Sequence, residues 1–123
     1  MVRGEESGKR DLTYSTWHRT LPDYCYMVDA DSIEWRNGKG IVAIIETCNG
    51  NATIYRKKFQ MMILRELASK LGIAVYLVAY YTDDAGAITC FERYDLSEKD
   101  WPDCPKKVML PDEYKAFIMN LGR

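Results

Sequence analysis

Two apolar runs on either side of a helical pattern constrain the fold of this chain most. Residues 41–45 and 73–81 consist of aliphatic and aromatic side chains without polar alternation. Such runs are typical of strands that are covered on both faces. The residues between them, about 54–71, carry apolar side chains every four positions, which predicts an amphipathic helix. Strand, helix and strand in this order predict a right-handed crossover between parallel strands, and hence an α/β fold.

The predicted helix has recognisable ends and two different faces. Gly72 is the expected stop, and Asn51 or Thr53 is the expected N-cap. The predicted buried stripe consists of Phe59, Ile63, Leu67 and Leu71, with Met62 beside it. Five basic side chains lie off that stripe, where a solvated face is expected: Arg56, Lys57, Lys58, Arg65 and Lys70.

A β-hairpin that carries carboxylates is predicted before the helix. Its turn signal is residues 37–40, Asn-Gly-Lys-Gly. Symmetric closure between residues 38 and 39 pairs Asp31 with Glu46 and Asp29 with Cys48, while Glu34 falls on the opposite face. Directly paired side chains share a face, with Cβ atoms about 4.5–5.5 Å apart. Like charges placed in this way repel each other, but they suit a divalent cation.

The rest of the chain predicts smaller elements around this core. We expect a short helix that ends before Pro22, strands at 24–28 and 87–94, a turn at 83–86, irregular chain at 101–105 and a closing helix at 112–121. Residues 1–11 are polar and are expected to form a flexible N-terminal arm. The prediction is one α/β domain over 12–123, with a mixed β-sheet, a central hairpin, an α crossover and flanking helices.

Composition narrows the classes of function. The chain has 123 residues, of which 47% are hydrophobic and 28% charged, as in ordinary globular proteins. The net charge is −1, so nucleic-acid binding would depend on a local basic patch. No apolar run is long enough for a membrane span, and the first residues lack a signal-peptide core. The four cysteines have neither metal-type spacing nor the pattern of a disulfide framework, so a reducing cytoplasm is the expected location.

An Asp on one hairpin strand, a Glu on the next and an α crossover resemble the core of the PD-(D/E)XK nuclease superfamily, in a small prokaryotic and viral branch. The resemblance covers roughly residues 17–80 and includes the stretches 17–22, 26–35 and 41–46. It implies a restriction-endonuclease-like core and hydrolysis of DNA phosphodiesters with Mg²⁺ or Mn²⁺. A nuclease of this size often needs a homodimer to cut both strands, so a homodimer is one expectation.

The resemblance assigns roles to individual residues. Asp31 matches the first acidic residue of the motif, with Asp29 as an alternative or additional metal ligand, and Glu46 matches the second. The family lysine, two residues after the Glu, is replaced by Cys48. A thiol lacks both the charge and the reach of that lysine. Lys57 is the best local substitute, with Lys58 second, because both lie near the start of the predicted helix.

Further residues are accessory candidates. His18 and Arg19 are candidates for phosphate contact, and Gln60 falls about one turn after Lys57 on the same side. Each candidate also has a structural interpretation, in which Glu46 pairs with Arg19 or Asp31 caps a turn. Three tyrosines are candidates for base stacking or for core packing: Tyr55, Tyr80 and Tyr81.

Three functions remain open from the sequence. The leading hypothesis is a metal-dependent deoxyribonuclease. The first alternative is a nucleic-acid-binding module of the same fold whose catalysis is impaired by the loss of the motif lysine. The second alternative is a protein-interaction or dimerisation domain. Cys48 is interpreted either as a buried thiol or as a ligand in a softer metal site with Asp31 and Glu46.

Overall fold

A computed structural model describes residues 12–50 and 54–123, which form one mixed five-stranded sheet with helices on its two faces. The elements are α1 (Thr13–His18), β1 (Ser32–Arg36), β2 (Gly40–Asn49), a 3₁₀ turn (Ile54–Lys57), α2 (Lys58–Leu71), β3 (Ala74–Thr82), β4 (Ile88–Asp95), β5 (Lys106–Met109) and α3 (Pro111–Asn120). The strand order is β1-β2-β3-β4-β5. The α/β fold class with a mixed sheet is confirmed.

Strands β2 and β3 form the centre of the sheet and are parallel, as predicted, with α2 connecting them along the chain. The other neighbouring strands are antiparallel. Ile44 lies in a core cluster with side chains of α2, and Ile45 lies in a second cluster with side chains of α3. Consecutive residues of a strand point to opposite faces, so this uninterrupted apolar run is explained by a strand that is covered on both sides.

The hairpin register beside the acidic residues is the predicted one. Ser32 pairs with Ile45, and Glu34 pairs with Ala43. Asp31 lies one residue before β1, so the same register continued by one step places it opposite Glu46. A slip of one residue would move the whole set of side chains to the other face. The alternation along β2 therefore determines which carboxylates lie on the α2 side.

The hairpin turn differs from the symmetric closure that the sequence predicted. Trp35 pairs with Ile41, so Val42 is left as an extra residue on β2 and forms a β-bulge. The turn has Gly38 at φ 78°, and the Lys39 N–H donates to a strand carbonyl at 3.0 Å. The pairing at the turn is one residue out of the predicted register, and the extra residue Val42 cancels that shift. The pairing near the acidic residues is therefore the predicted one.

Helix α2 confirms the predicted helix but buries a different face. Its last turn is followed by Gly72 in the left-handed conformation, as expected. The buried side chains are Met61, Leu64 and Ala68. The predicted stripe is wrong: Phe59, Leu67 and Leu71 are exposed, and Ile63 is only partly buried. The predicted stripe and the observed buried residues lie on different sides of the helix. The side that packs against the sheet is the one that includes the small Ala68.

Several other expectations are corrected by the structure. Residues 24–28 were expected to be a strand, but they are irregular chain, and the hairpin begins only at Ser32. Strand β5 was not predicted, because Lys106 and Lys107 interrupt any apolar pattern there. The predicted N-cap at 51 or 53 and the arm at 1–11 lie outside the described residues.

Within the described part of the chain, no helix has both the length and the apolar character needed to cross a membrane.

Candidate active site

Glu46 is the centre of the candidate site. It lies in the middle of β2, and its side chain is 0% exposed; among the described residues it is the one buried polar or charged residue. Strand alternation places it on the α2 side, together with Ile44 and Cys48. A carboxylate buried among apolar side chains loses its hydration, so it requires donors from within the protein.

Three donors converge on the Glu46 carboxylate. The Lys57 ammonium donates to Oε2 at 2.6 Å, and the Gln60 side-chain amide donates to the same oxygen at 3.0 Å. The backbone N–H of Asp31 donates to Oε1 at 3.0 Å. The Lys57 side chain is itself mostly covered, with 22% of its surface exposed. A short, charge-assisted contact of this kind is among the stronger hydrogen bonds in proteins.

The start of α2 explains how Lys57 and Gln60 reach one carboxylate. Lys57 ends the 3₁₀ turn, and Gln60 is in the first turn of α2. Residues three apart on a helix share a face, so both side chains point at the sheet. The interpretation of Lys57 as one of five solvated basic side chains is wrong, because the register that buries Met61 also turns Lys57 inward. The predicted grouping of Lys57 with Gln60 and Glu46 agrees with these contacts.

Asp31 lies beside Glu46 and is held by its own contacts. Its Oδ2 accepts hydrogen bonds from the backbone N–H and the hydroxyl of Thr47, both at 3.3 Å. Gln60 also donates to the backbone carbonyl of Asp29 at 2.6 Å. These bonds attach the irregular chain before β1 to both β2 and α2. Thr47 was not recognised from the sequence, although a hydroxyl residue directly after the acidic motif position was the available signal.

Burial and pairing act in opposite directions on the two charges. Burial raises the pKa of Glu46 above its ordinary value, and the Lys57 ammonium and the Asp31 N–H offset this only in part. Burial acts to lower the pKa of Lys57, but the hydrogen bond and charge of Glu46 outweigh it, and the net pKa is raised. Asp31 and Cys48 also act to raise the pKa of Lys57. The lysine therefore stays protonated next to the acid.

Glu46 has a different partner from the one weighed at the sequence level. The cation that pairs with it is Lys57, so the alternative in which Arg19 fills this role is not what the structure contains. Arg19 and His18 instead line a cavity of about 320 Å³ together with residues 21–23 and 25–27. Lys58 begins α2 and is exposed.

Cys48 lies on the same side of β2 as Glu46, two residues further along the strand. Its thiol is buried and packs within the apolar core beneath α2. Position 48 therefore lies on the face that carries Glu46, and it holds a small side chain that behaves as an apolar one. The ammonium group that contacts Glu46 is that of Lys57, at the end of the 3₁₀ turn.

The donor set for a divalent cation consists of carboxylate oxygens. Asp31 and Glu46 are neighbours across the hairpin. Mg²⁺ prefers oxygen ligands and retains several waters, so two carboxylates are a suitable type of ligand for it. Across residues 12–50 and 54–123, no group of three or more His, Cys, Asp or Glu side chains is arranged to hold a metal ion. The metal set with Asp29 as a third ligand, and the softer set with Cys48, stay predictions.

Comparison of the chain with protein-family models, with curated proteins and with solved structures found no match. Assignment of a function therefore depends on the residues and their geometry.

Proposed function

We propose that the protein is a divalent-metal-dependent deoxyribonuclease of the PD-(D/E)XK type, in which Lys57 takes the role of the missing motif lysine. The observation that carries this proposal is the 2.6 Å contact between the Lys57 ammonium and the buried Glu46 carboxylate, beside Asp31. Paired carboxylates can hold a catalytic divalent cation, and a nearby ammonium group can stabilise the negative charge that develops during phosphodiester hydrolysis.

Each residue has a distinct part in this proposal. Asp31 and Glu46 would hold Mg²⁺ or Mn²⁺. A cation held there would lower the pKa of its coordinated water and would neutralise charge on the phosphate. Lys57 keeps a positive charge at the site, and Gln60 orients the Glu46 carboxylate while it holds the chain at Asp29. Thr47 fixes one oxygen of Asp31.

The test compares DNA cleavage by matched lysine variants. Lys57→Met should lower the cleavage rate roughly 10²- to 10³-fold, which is the usual cost of losing one preorganised charge or donor. Lys70→Met is the matched control, because Lys70 is an exposed lysine in the last turn of α2 whose ion pair is with Glu66. Plasmid and oligonucleotide cleavage in Mg²⁺ and in Mn²⁺ is the measurement, with Glu46→Ala as the variant that should abolish activity.

A wild-type protein that cleaves no DNA with either metal contradicts the proposal. So does equal activity of the wild type and Glu46→Ala, since this would trace the cleavage to a contaminant or to another site. A loss of activity in Lys70→Met equal to that in Lys57→Met would contradict the assignment of Lys57.

One observation favours a second function, a nucleic-acid-binding module without catalysis. Both oxygens of Glu46 already accept hydrogen bonds from within the chain, so the ion pair with Lys57 is complete without a metal. This candidate predicts salt-dependent DNA binding with no cleavage. Calorimetric titration with Mn²⁺ distinguishes the two, because only the nuclease requires metal binding that is lost in Glu46→Ala.

We also propose DNA and a second copy of the chain as partners, and the cytoplasm as the location. DNA is the substrate, and a homodimer would provide two sites for the two strands of a duplex. The protein would act in the cytoplasm. Sedimentation at increasing concentration, with and without DNA, tests the homodimer.

A further inference from the structure

Exposed aromatic rings lie on the two segments that build the candidate site. On the turn and helix that carry Lys57, Tyr55 is 81% exposed and Phe59 is more than half exposed. On the irregular chain before Asp29, Tyr24 is 86% exposed and Tyr26 is more than half exposed. Tyrosines and phenylalanines are usually much more buried than this, so packing of the core does not account for these rings.

Three of these rings are held in place by other rings. Tyr26 and Phe59 meet edge to face, with centroids 4.7 Å apart. Tyr55 meets Trp101 edge to face, with centroids 5.5 Å apart. Trp101 is buried, so it provides a firm support for an exposed partner. A ring that is already immobilised loses little conformational entropy when a ligand packs on its free face.

The rings are tied to the candidate site through Gln60. This side chain donates both to Glu46 and to the carbonyl of Asp29, and Phe59 is its neighbour in α2. Tyr26 contacts Phe59 and precedes Asp29 by three residues. The Tyr26–Phe59 pair therefore connects the two segments that hold the site, one residue from Gln60 on α2 and three residues from Asp29 on the irregular chain.

Three basic residues lie between two aromatic residues across the 3₁₀ turn and the first residues of α2. Residues 55–59 read Tyr-Arg-Lys-Lys-Phe, and Arg56 and Lys58 are exposed. Lys57 is turned inward to Glu46, so its two neighbours are the cations that face solvent. The chain as a whole has a net charge of −1, which makes this a local patch rather than part of a general basic field. Such patches neutralise phosphates.

From these observations we propose that the site takes single-stranded DNA, with unpaired bases stacked on Tyr55 and on the Tyr26–Phe59 pair. Arg56 and Lys58 contact the backbone phosphates of that strand. This inference rests on the proposed function for the identity of the site. Base–aromatic stacking needs an open base face, which a duplex keeps within its own stack. The combination of exposed rings and a small number of cations therefore favours a single strand over a duplex.

The experiment measures binding apart from cleavage. Fluorescence anisotropy of a labelled 20-nucleotide single strand and of the matching duplex is recorded in EDTA. The wild type should bind the single strand at least about tenfold more tightly than the duplex. Tyr55→Leu and Tyr26→Leu should each weaken single-strand binding roughly 5- to 150-fold, the usual effect of removing one stacked ring. Binding to the duplex should change little in either variant.

A matched control tests whether any exposed ring has this effect. Trp35 is an exposed aromatic residue on the edge strand β1, outside the two segments that carry the rings. Trp35→Leu should bind the single strand as the wild type does. The double variant Arg56→Ala/Lys58→Ala should reduce the slope of log affinity against log salt by about 1.4, from about 0.7 per phosphate on a single strand. Thermal unfolding of each variant verifies the fold.

Equal affinity for single strand and duplex overturns the inference. So does wild-type affinity in both tyrosine variants, or an equal loss in Trp35→Leu. If the tyrosine variants change only the oligomeric state on a sizing column, the rings cover a second copy of the chain and the inference is wrong. Binding in EDTA without cleavage in Mg²⁺ contradicts the proposed nuclease but supports this inference. If the wild type cleaves DNA and both tyrosine variants cleave it equally well, the proposed nuclease is supported and this inference is contradicted.

Discussion

Glu46 shows how a single residue links the stability of the sheet to the chemistry of the site. Its carboxylate is fully buried, and its charge is balanced by one ammonium group, that of Lys57. Removal of one partner from such a pair leaves the other charge buried without compensation, which is far more costly than loss of an exposed pair. The same contact thus has a structural role and a proposed catalytic one.

Lys57→Met is expected to destabilise the fold by about 3–5 kcal/mol, because Glu46 then lacks its cation. The double variant Lys57→Met/Glu46→Gln should recover a large part of that loss, since the remaining amide is neutral. Urea unfolding monitored by circular dichroism measures both free energies. If the single variant is as stable as the wild type, or the double variant is no more stable than the single one, the ion pair is not what stabilises this part of the core.

Cys48 allows a second prediction at the residue scale. Its side chain is directed to the α2 side of β2, as that of Glu46 is, so a lysine there would start two residues from the carboxylate on the same face of the strand. We expect Cys48→Lys to restore cleavage in the Lys57→Met background, at least about tenfold over Lys57→Met alone. The measurement is the cleavage rate in Mg²⁺. Cys48→Met in the same background is the control for side-chain length, and equal rates in the two would contradict the prediction.

Helix α2 is the element in which sequence periodicity and packing disagree. Positions 59, 63, 67 and 71 form a regular apolar stripe, yet the face against the sheet is that of Met61, Leu64 and Ala68. Ala68 allows the helix to approach the strands closely, and the same rotation brings Lys57 and Gln60 over Glu46. The stripe instead remains at the side of the helix, where Phe59 contacts Tyr26.

A matched pair of leucines tests this orientation. Leu64 is 2% exposed and Leu67 is 44% exposed, one turn apart on α2. Leu64→Ala should cost about 2–5 kcal/mol, because it leaves a cavity in the core. Leu67→Ala should change the free energy of unfolding by less than about 1 kcal/mol. Chemical denaturation compares the two, and an equal or reversed order would favour the stripe that periodicity predicted.

At the scale of the whole molecule, three strands are joined by one carboxylate away from the candidate site. Glu92 on β4 accepts a hydrogen bond from the Tyr81 hydroxyl on β3 and pairs with Lys106 on β5 at 3.1 Å. Burial acts to raise the pKa of Glu92, but these two partners outweigh it and the net pKa lies below the ordinary value. The ionised form is therefore favoured in the folded state.

This lowered pKa predicts a contribution to acid unfolding. The stabilisation by Glu92 is fully present above its unfolded-state pKa, near 4.5, and is lost as the pH falls through the lower folded-state pKa. Glu92→Gln should therefore lose stability at neutral pH and show a smaller decline between roughly pH 5 and pH 3 than the wild type. Urea unfolding at several pH values measures the difference. Parallel curves for the two proteins would contradict the assignment.

The parts of the molecule that follow from local patterns were predictable. The double-sided apolar runs indicated parallel central strands, Gly72 marked the end of α2, and side-chain alternation put Asp31 and Glu46 together. These inferences depend on the side-chain periodicities of helices and strands, which are the same in every fold. The turn at residues 37–40 and the hairpin register near Asp31 were also correct, although the asymmetric closure of the turn and the bulge at Val42 were not foreseen.

The partner of Glu46 and the orientation of α2 depend on contacts between distant segments. Periodicity gives a helix an apolar side, but the rotation that buries Leu64 in place of Leu67 follows from the shape of the sheet against which it packs. That rotation made Lys57 a mostly covered partner of a carboxylate rather than a fully solvated lysine. The pairing of Asp31 with Glu46 and the choice of Lys57 as the nearby cation followed from the sequence, whereas the direct contact between the Lys57 ammonium and the Glu46 carboxylate required the packed helix.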